Sequence, residues 1–223
     1  MKKGISIILG IIMAGTFLLG SLVFTCQFKY FYESKFESLG VINQIGIEAD
    51  ASEVAYVMVE YLRGNLDEFQ LTAKVNGVER ELFNPKEQMH MHDIVQLIKI
   101  GNTITLIGVI MIVTIYGLCI LRREREILKK GYKTAFFSYI FLLLGLSLVA
   151  LLDFNEAFIL FHKILFTNDL WLLDPSKDIL LMLMPLEFFI GGLKFVLITA
   201  TLGILITGVI TWLILRKIKV LKL

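Results

Sequence analysis

The chain has 223 residues, of which 57% are apolar and 19% charged, and a formal net charge of +2. A composition this apolar points to the membrane, and so small an excess of base carries no expectation of a nucleic-acid surface. There is no internal repeat, Gly/Ser linker or low-complexity tract.

A bilayer core takes about 20 largely apolar residues per helix. Four stretches qualify: residues 4–25, 100–121, 134–152 and 188–215. The first three contain no charge, and the fourth carries Lys194 near one end, where a long side chain can snorkel to the interface. Basic residues in short connections set orientation. Lys2 and Lys3 precede the first span. Arg122, Arg123, Arg125, Lys129, Lys130 and Lys133 crowd the connection between the second and third. Arg216, Lys217, Lys219 and Lys222 follow the fourth. All three clusters fall inside in an N-in, C-in arrangement.

The expected fold is an α-helical membrane protein with four transmembrane helices and a small β-hairpin-containing extracytoplasmic cap. In chain order it runs span 1–25, outer cap 26–99, span 100–121, inner loop 122–133, span 134–152, outer interfacial segment 153–187, span 188–215 and inner tail 216–223. The first apolar run exceeds the about 7–15 residues of a signal-peptide core, so it is read as a retained span. Val23-Phe24-Thr25 lacks the small residues that should precede a lipidated cysteine at Cys26. Cys26 and Cys119 lie toward opposite ends of different spans and form no CxxC pair, so both read as packing thiols.

Within the cap, Phe28, Tyr30, Phe31, Tyr32 and Phe36 read as an aromatic belt at the headgroup level. Asp50 or Ser52 caps a short helix that runs through Arg63, with Val54, Val57, Met58 and Tyr61 on one face and Gly64-Asn65 as its stop. Alternating runs at 69–75 and 78–83 flank Asn76-Gly77, a strong hairpin signal. Asn84-Pro85 breaks the second run, and residues 86–98 read as a helix leading into the second span.

That helix carries His90, Asp93 and Leu97 on one face by three- and four-residue spacing. Asp93 is placed to accept a hydrogen bond from His90 and fix its tautomer, as carboxylates do in triads; the competing reading is an ordinary surface hydrogen bond. His92 projects roughly 200° away around the helix. The third and last histidine, His162, opens residues 161–175, too apolar for a solvated loop and too broken by Asn168-Asp169 and Asp174-Pro175 to span. An interfacial segment fits it. Trp171 reads as an interfacial anchor or as a wall of a lipid cleft, and Asp169, Asp174 and Asp178 as turn caps. Ser176 is the expected cap of a further helix over 178–184, which Pro185 bends into the fourth span. All three histidines fall in outer segments, and histidine is the side chain best suited to shuttle protons near neutrality.

Two stretches, residues 83–95 with His90-Met91-His92-Asp93 and residues 161–175 with Phe-His followed by Asn-Asp-x-Trp-x-x-Asp-Pro, closely resemble the lipoprotein intramolecular transacylase (Lit) family. The piece Tyr61-Leu-Arg-Gly64 and the four-span layout match as well. His92 occupies a variable slot of that pattern, and Leu186 replaces an acidic residue, so neither His92 nor Glu187 inherits a role. The resemblance implies a bacterial cell-membrane acyltransferase without a cofactor. Its substrate would be a lipoprotein whose N-terminal cysteine carries a diacylglyceryl thioether and a free α-amine. The sn-2 acyl chain would move to that amine, giving an N-acyl, S-monoacylglyceryl product. It also implies catalytic roles for His90, His162 and Asp93, and substrate contacts at Asn168, Asp169, Trp171 and Asp174. The enzyme is expected to act as a monomer at the outer leaflet on lipoprotein and membrane lipid.

Two other readings compete. A metal-dependent membrane hydrolase would use the three histidines as zinc ligands, but His-x-His on a helix splays its rings and no standard zinc spacing is present; chelator sensitivity discriminates. A non-enzymatic accessory or assembly protein is the other, although the spans hold few of the ionisable residues that mark transport paths. Incubation with a diacylated lipopeptide separates that reading from a transacylase.

Overall fold

A computed structural model describes residues 2–220. Among them are nine helices and one two-stranded antiparallel sheet: α1 Lys2–Cys26, α2 Lys29–Leu39, α3 Val41–Ile45, α4 Ala51–Arg63, β1 Thr72–Val75, β2 Val78–Glu81, α5 Pro85–Leu121, α6 Arg125–Leu152, α7 Phe154–Leu165, α8 Ile179–Leu183 and α9 Leu186–Val220. The four helices α1, α5, α6 and α9 are long and apolar enough to cross a membrane. The chain divides into two compact units. One is built from the residues up to Leu22, Gly101–Phe154 and Val196 onward, the other from Val23–Ile100 and Asn155–Phe195.

The first unit wears its apolar residues outside. Phe141 is 78% and Val113 64% exposed, an arrangement that water would penalise and that acyl chains accept. Inside, Leu9, Met13, Leu128 and Ala135 pack with Tyr116, and Ala14, Tyr139, Ala200 and Ile204 form a second cluster. Polar groups in this core find each other, as an apolar surround demands. The Tyr116 and Thr211 hydroxyls lie 2.8 Å apart, and those of Tyr139 and Thr201 2.6 Å apart. Helices α1 and α6 meet closely because Gly10 has no side chain. A Cβ there would stand 2.5 Å from Thr134 Cβ and 2.8 Å from the Ala135 nitrogen. Gly10→Ala should therefore destabilise the protein by about 1–3 kcal/mol through overpacking. Gly4→Ala, with nothing within 4 Å, should not. Thermal unfolding in detergent tests the pair, and equal midpoints would refute the close approach.

The second unit contains the hairpin and the histidines. Asn76 and Gly77 both take positive φ, 52° and 79°, the turn that Asn-Gly prefers. The register pairs Val75 with Val78 and Thr72 with Glu81. Helix α4 ends at Gly64 with φ 78°, and its expected face, Val54, Val57, Met58 and Tyr61, is buried.

Several sequence expectations need correction. The aromatic run is not a belt. Helical spacing turns Phe31, Tyr32 and Phe36 inward, where they pack around Phe188 at centroid separations of 5.2, 5.4 and 5.9 Å. Only Tyr30, at 68% exposure, stays outside. The connection expected over 122–133 is shorter, because α6 already begins at Arg125 and carries Lys129, Lys130 and Lys133. Residues 86–98 are helical as expected, and run without a break into the second apolar stretch as the first part of α5. Helix α8 is capped at Asp178 rather than Ser176, since Ser176 is held two residues back by the Asp174 carboxylate. Of the expected basic tail, Lys222 lies outside the described residues.

Candidate active site

The site is assembled from the start of α5, from α7 and from the loop that follows it, all in the second unit. Asn84-Pro85-Lys86-Glu87 opens α5 as a reciprocal capping box. The Asn84 side-chain oxygen accepts from the Lys86 and Glu87 amides at 2.9 and 3.1 Å, and Glu87 reaches back to the Asn84 amide at 2.7 Å. Glu87 is only 1% exposed, and its other oxygen accepts the Leu180 amide of α8 at 2.6 Å. One turn on, His90 points into the same interior.

His162 lies in the last turn of α7. Residues 154–165 are thus helical, where the sequence suggested only an interfacial segment. The two imidazoles meet with ring centroids 6.0 Å apart. They are nearly closed to solvent, His90 at 5% and His162 at 7% exposure. Phe166 serves both rings, at 5.1 Å from His90 and 5.5 Å from His162. Trp171 stacks on His162 at 5.0 Å and an interplanar angle of 27°. Trp171 is buried and lines, with Ile159, Lys163, Phe166, Asn168 and Asp169, a cleft of about 320 Å³.

The hydrogen bonds distinguish the two rings. His162 Nδ1 lies 2.7 Å from the Phe158 carbonyl oxygen. A carbonyl oxygen only accepts, so in the neutral ring Nδ1 carries the hydrogen and Nε2 keeps the lone pair. His90 Nδ1 is buried and, among the described residues, has no hydrogen-bond partner. A buried polar nitrogen left open in this way is an expected place for a substrate group.

Asp93 does not hold His90. It accepts instead from the Asn168 amide nitrogen at 2.9 Å, while the Asn168 oxygen caps Leu170 at 3.0 Å. The i,i+3 spacing permitted the His90 bond, but burial of the ring and the arrival of Asn168 from the loop took Asp93 elsewhere. Asp174 serves a turn. It accepts from the Ser176 hydroxyl and amide, which together with Lys177 hold its carboxyl below the usual carboxylate range. Asp169 is exposed at the cleft. His92 is exposed, 3.4 Å from the Gln96 side chain, and takes no part.

Three ties fix the loop to α5: Asn168 to Asp93, Asn84 to Asp178 at 2.8 Å, and the Lys86 ammonium to the Leu172 carbonyl. Sequence reasoning missed Glu87, Lys86, Phe158 and Phe166. Asn84-x-x-Glu87 was a visible capping-box signal, whereas nothing local marks the other three. Among the described residues no three His, Cys, Asp or Glu side chains converge as metal ligands.

Burial lowers the pKa of His162 from the ordinary 6.5, with the Phe158 hydrogen bond opposing it. The unfolded chain then takes up this proton at higher pH than the native one. Stability is complete above about pH 6.5 and declines as the pH falls below it. The thermal midpoint in detergent should drop between about pH 7 and pH 5. The drop should shrink in His162→Phe, which keeps a ring without titrating; an unchanged slope would remove His162 from the account.

The sequence model described as lipoprotein intramolecular transacylase Lit matches residues 7–189. No curated protein sequence matches the chain. Among solved structures it is similar to the in meso structure of the membrane-integral lipoprotein intramolecular transacylase Lit from Bacillus cereus. The TM-score is 0.76 and the identity 20%, with 99% of this chain and 98% of that one covered. A structure of the same Bacillus cereus protein with one histidine replaced by alanine gives 0.73 at 20% identity, covering 99% and 96%. At this identity the structures speak for a shared fold, and the match over residues 7–189 speaks for more: the chain belongs to the lipoprotein intramolecular transacylase family of membrane acyltransferases.

Proposed function

We propose that the protein moves the sn-2 acyl chain of a lipoprotein's diacylglyceryl-cysteine to the α-amino group of that same cysteine, with His90 and His162 as the reacting pair. The observation that carries this reading is the 6.0 Å approach of two buried imidazoles, one of them with a fixed tautomer. An α-ammonium group has a pKa of about 8 and must lose a proton before it can attack. His162 Nε2 takes that proton. The amine nitrogen then bonds to the sn-2 ester carbonyl carbon and gives up a second proton. The bond between that carbonyl carbon and the ester oxygen on glyceryl C2 breaks, and the leaving alkoxide receives one proton from the pair while the other passes to water. His90 Nδ1, the unpartnered nitrogen, holds the substrate's polar group during this exchange. Amine and ester belong to one molecule, so positioning supplies much of the rate.

The substrate's peptide and glyceryl head would use the Asn168, Asp169 and Trp171 cleft, and Asp93 would act through Asn168. The basic clusters support an N-in, C-in arrangement in a bacterial plasma membrane, with the histidines at the outer leaflet. The chain would work as a monomer on lipoprotein and membrane lipid.

The product is an isomer of the substrate, so intact mass is silent. Purified protein incubated with a diacylated lipopeptide should give fragment ions that place one acyl group on the cysteine nitrogen. Release of free fatty acid without N-acylation, or recovery of unaltered lipopeptide, refutes the reading.

A further inference from the structure

In the first unit, the amino-terminal turns of α1 and α6 enclose an open cleft of about 370 Å³. Gly10 and Gly131 draw the helices together. Added Cβ atoms would stand 2.5 Å from Thr134 Cβ and 2.7 Å from Leu9 Cδ2, whereas at Gly4 one would meet nothing within 4 Å. The space is lined by Lys3, Lys130, Lys133 and Thr134, with no carboxylate among its lining residues. The one ion pair there, Lys130 with Glu126 at 3.4 Å, is an exposed i,i+4 pair and holds its lysine weakly. Among the described residues Lys3 and Lys133 have no carboxylate within ion-pair distance. Beside these cations stand exposed apolar walls, Ile7 at 42% and Phe137 at 58% exposure.

Three cations and the hydroxyls of Ser6, Thr134 and Ser138 beside an apolar wall, at the ends of membrane-length helices, match a ligand that is phosphate at one end and hydrocarbon at the other. We propose that this cleft binds the phosphate headgroup of an anionic glycerophospholipid, whose acyl chain runs along Ile7 and Phe137. Basic pockets at helix ends hold such headgroups by the same electrostatics. Free inorganic phosphate shares the charge but not the chain, and only the lipid uses the apolar wall. None of the residues proposed for acyl transfer takes part.

The test is native mass spectrometry of the full chain, from micelles containing phosphatidylglycerol or phosphatidylcholine of matched chains. Phosphatidylglycerol should be retained over phosphatidylcholine. Each lysine contributes roughly fivefold, so Lys3→Gln/Lys130→Gln/Lys133→Gln should lower retention about 100-fold. The corresponding triple arginine variant, and Lys74→Gln on the hairpin, should keep it. Equal retention of the two lipids, a glutamine variant that retains as the wild type does, or an arginine variant that fails overturns the site. Displacement of the lipid by an equal concentration of inorganic phosphate overturns the lipid and leaves a phosphate site.

Discussion

Replacing His162 by alanine should lower the rate of N-acylation by about 10²–10⁴-fold, the usual contribution of a positioned proton-transfer group. The ring is the better placed base of the two. Its Nδ1 hydrogen is committed to the Phe158 carbonyl at 2.7 Å, which leaves Nε2 as the only lone pair. The walls of Phe166 and Trp171 exclude water that would otherwise serve instead. Because burial keeps this imidazole neutral to lower pH than an exposed one, its protonation should limit the rate only below about pH 6.5. Above that, the substrate α-ammonium governs, and the rate should climb until about pH 8. His90→Ala should cost a similar factor. A double variant no slower than either single one would show that the rings act as a unit. The measurement is initial rate by fragment-ion quantitation, with the circular dichroism spectrum as the folding control. Near-normal rates in His162→Ala, or a further break in the rate below pH 6.5 that persists in that variant, would sink the assignment.

How much of this was legible beforehand differs between the fold and the site. The spans were legible because a bilayer imposes about 20 apolar residues on any helix that crosses it, a one-dimensional constraint. The hairpin was legible because positive φ at Asn76 and Gly77 is local chemistry. The pairing of His90 with His162 was not: 72 positions separate them in the sequence, and only the resemblance suggested that they meet. Asp93 shows the opposite failure. Its spacing to His90 was correct, but a local rule cannot see Asn168 arriving from 75 residues away. The aromatic run misled for a related reason. Phe31, Tyr32 and Phe36 satisfy the composition of an interfacial belt and also the periodicity of a buried helix face, and the partner that decides, Phe188, lies on another element.

Glu87 offers the second large effect, on stability and, through it, on the site. Its two oxygens accept the backbone amides of Asn84 and Leu180, the first at the start of α5 and the second in the first turn of α8, where helical amides have no partner of their own. Asp178 cannot replace it, because its oxygens already take the Asn84 side chain at 2.8 Å and the Asp174 amide at 2.6 Å. Glu87→Ala would leave one buried donor, the Leu180 amide, and one half-buried donor, the Asn84 amide, unpaired. The loss should total about 2–4 kcal/mol, at about 1–3 kcal/mol for the buried one and less for the other. Set against a typical 5–15 kcal/mol for a whole domain, that is severe. Glu87→Gln keeps the shape but turns an NH₂ group toward one of the amides, and should lose roughly half as much. Denaturant unfolding in detergent measures both. Because Glu87 sits one turn before His90 and ties α5 to the segment that follows Trp171, the glutamine variant should also change kcat more than KM, at temperatures where it remains folded. A loss under about 1 kcal/mol in Glu87→Ala would mean that water already satisfies these amides, and the strut between the two helix starts would have no energetic role.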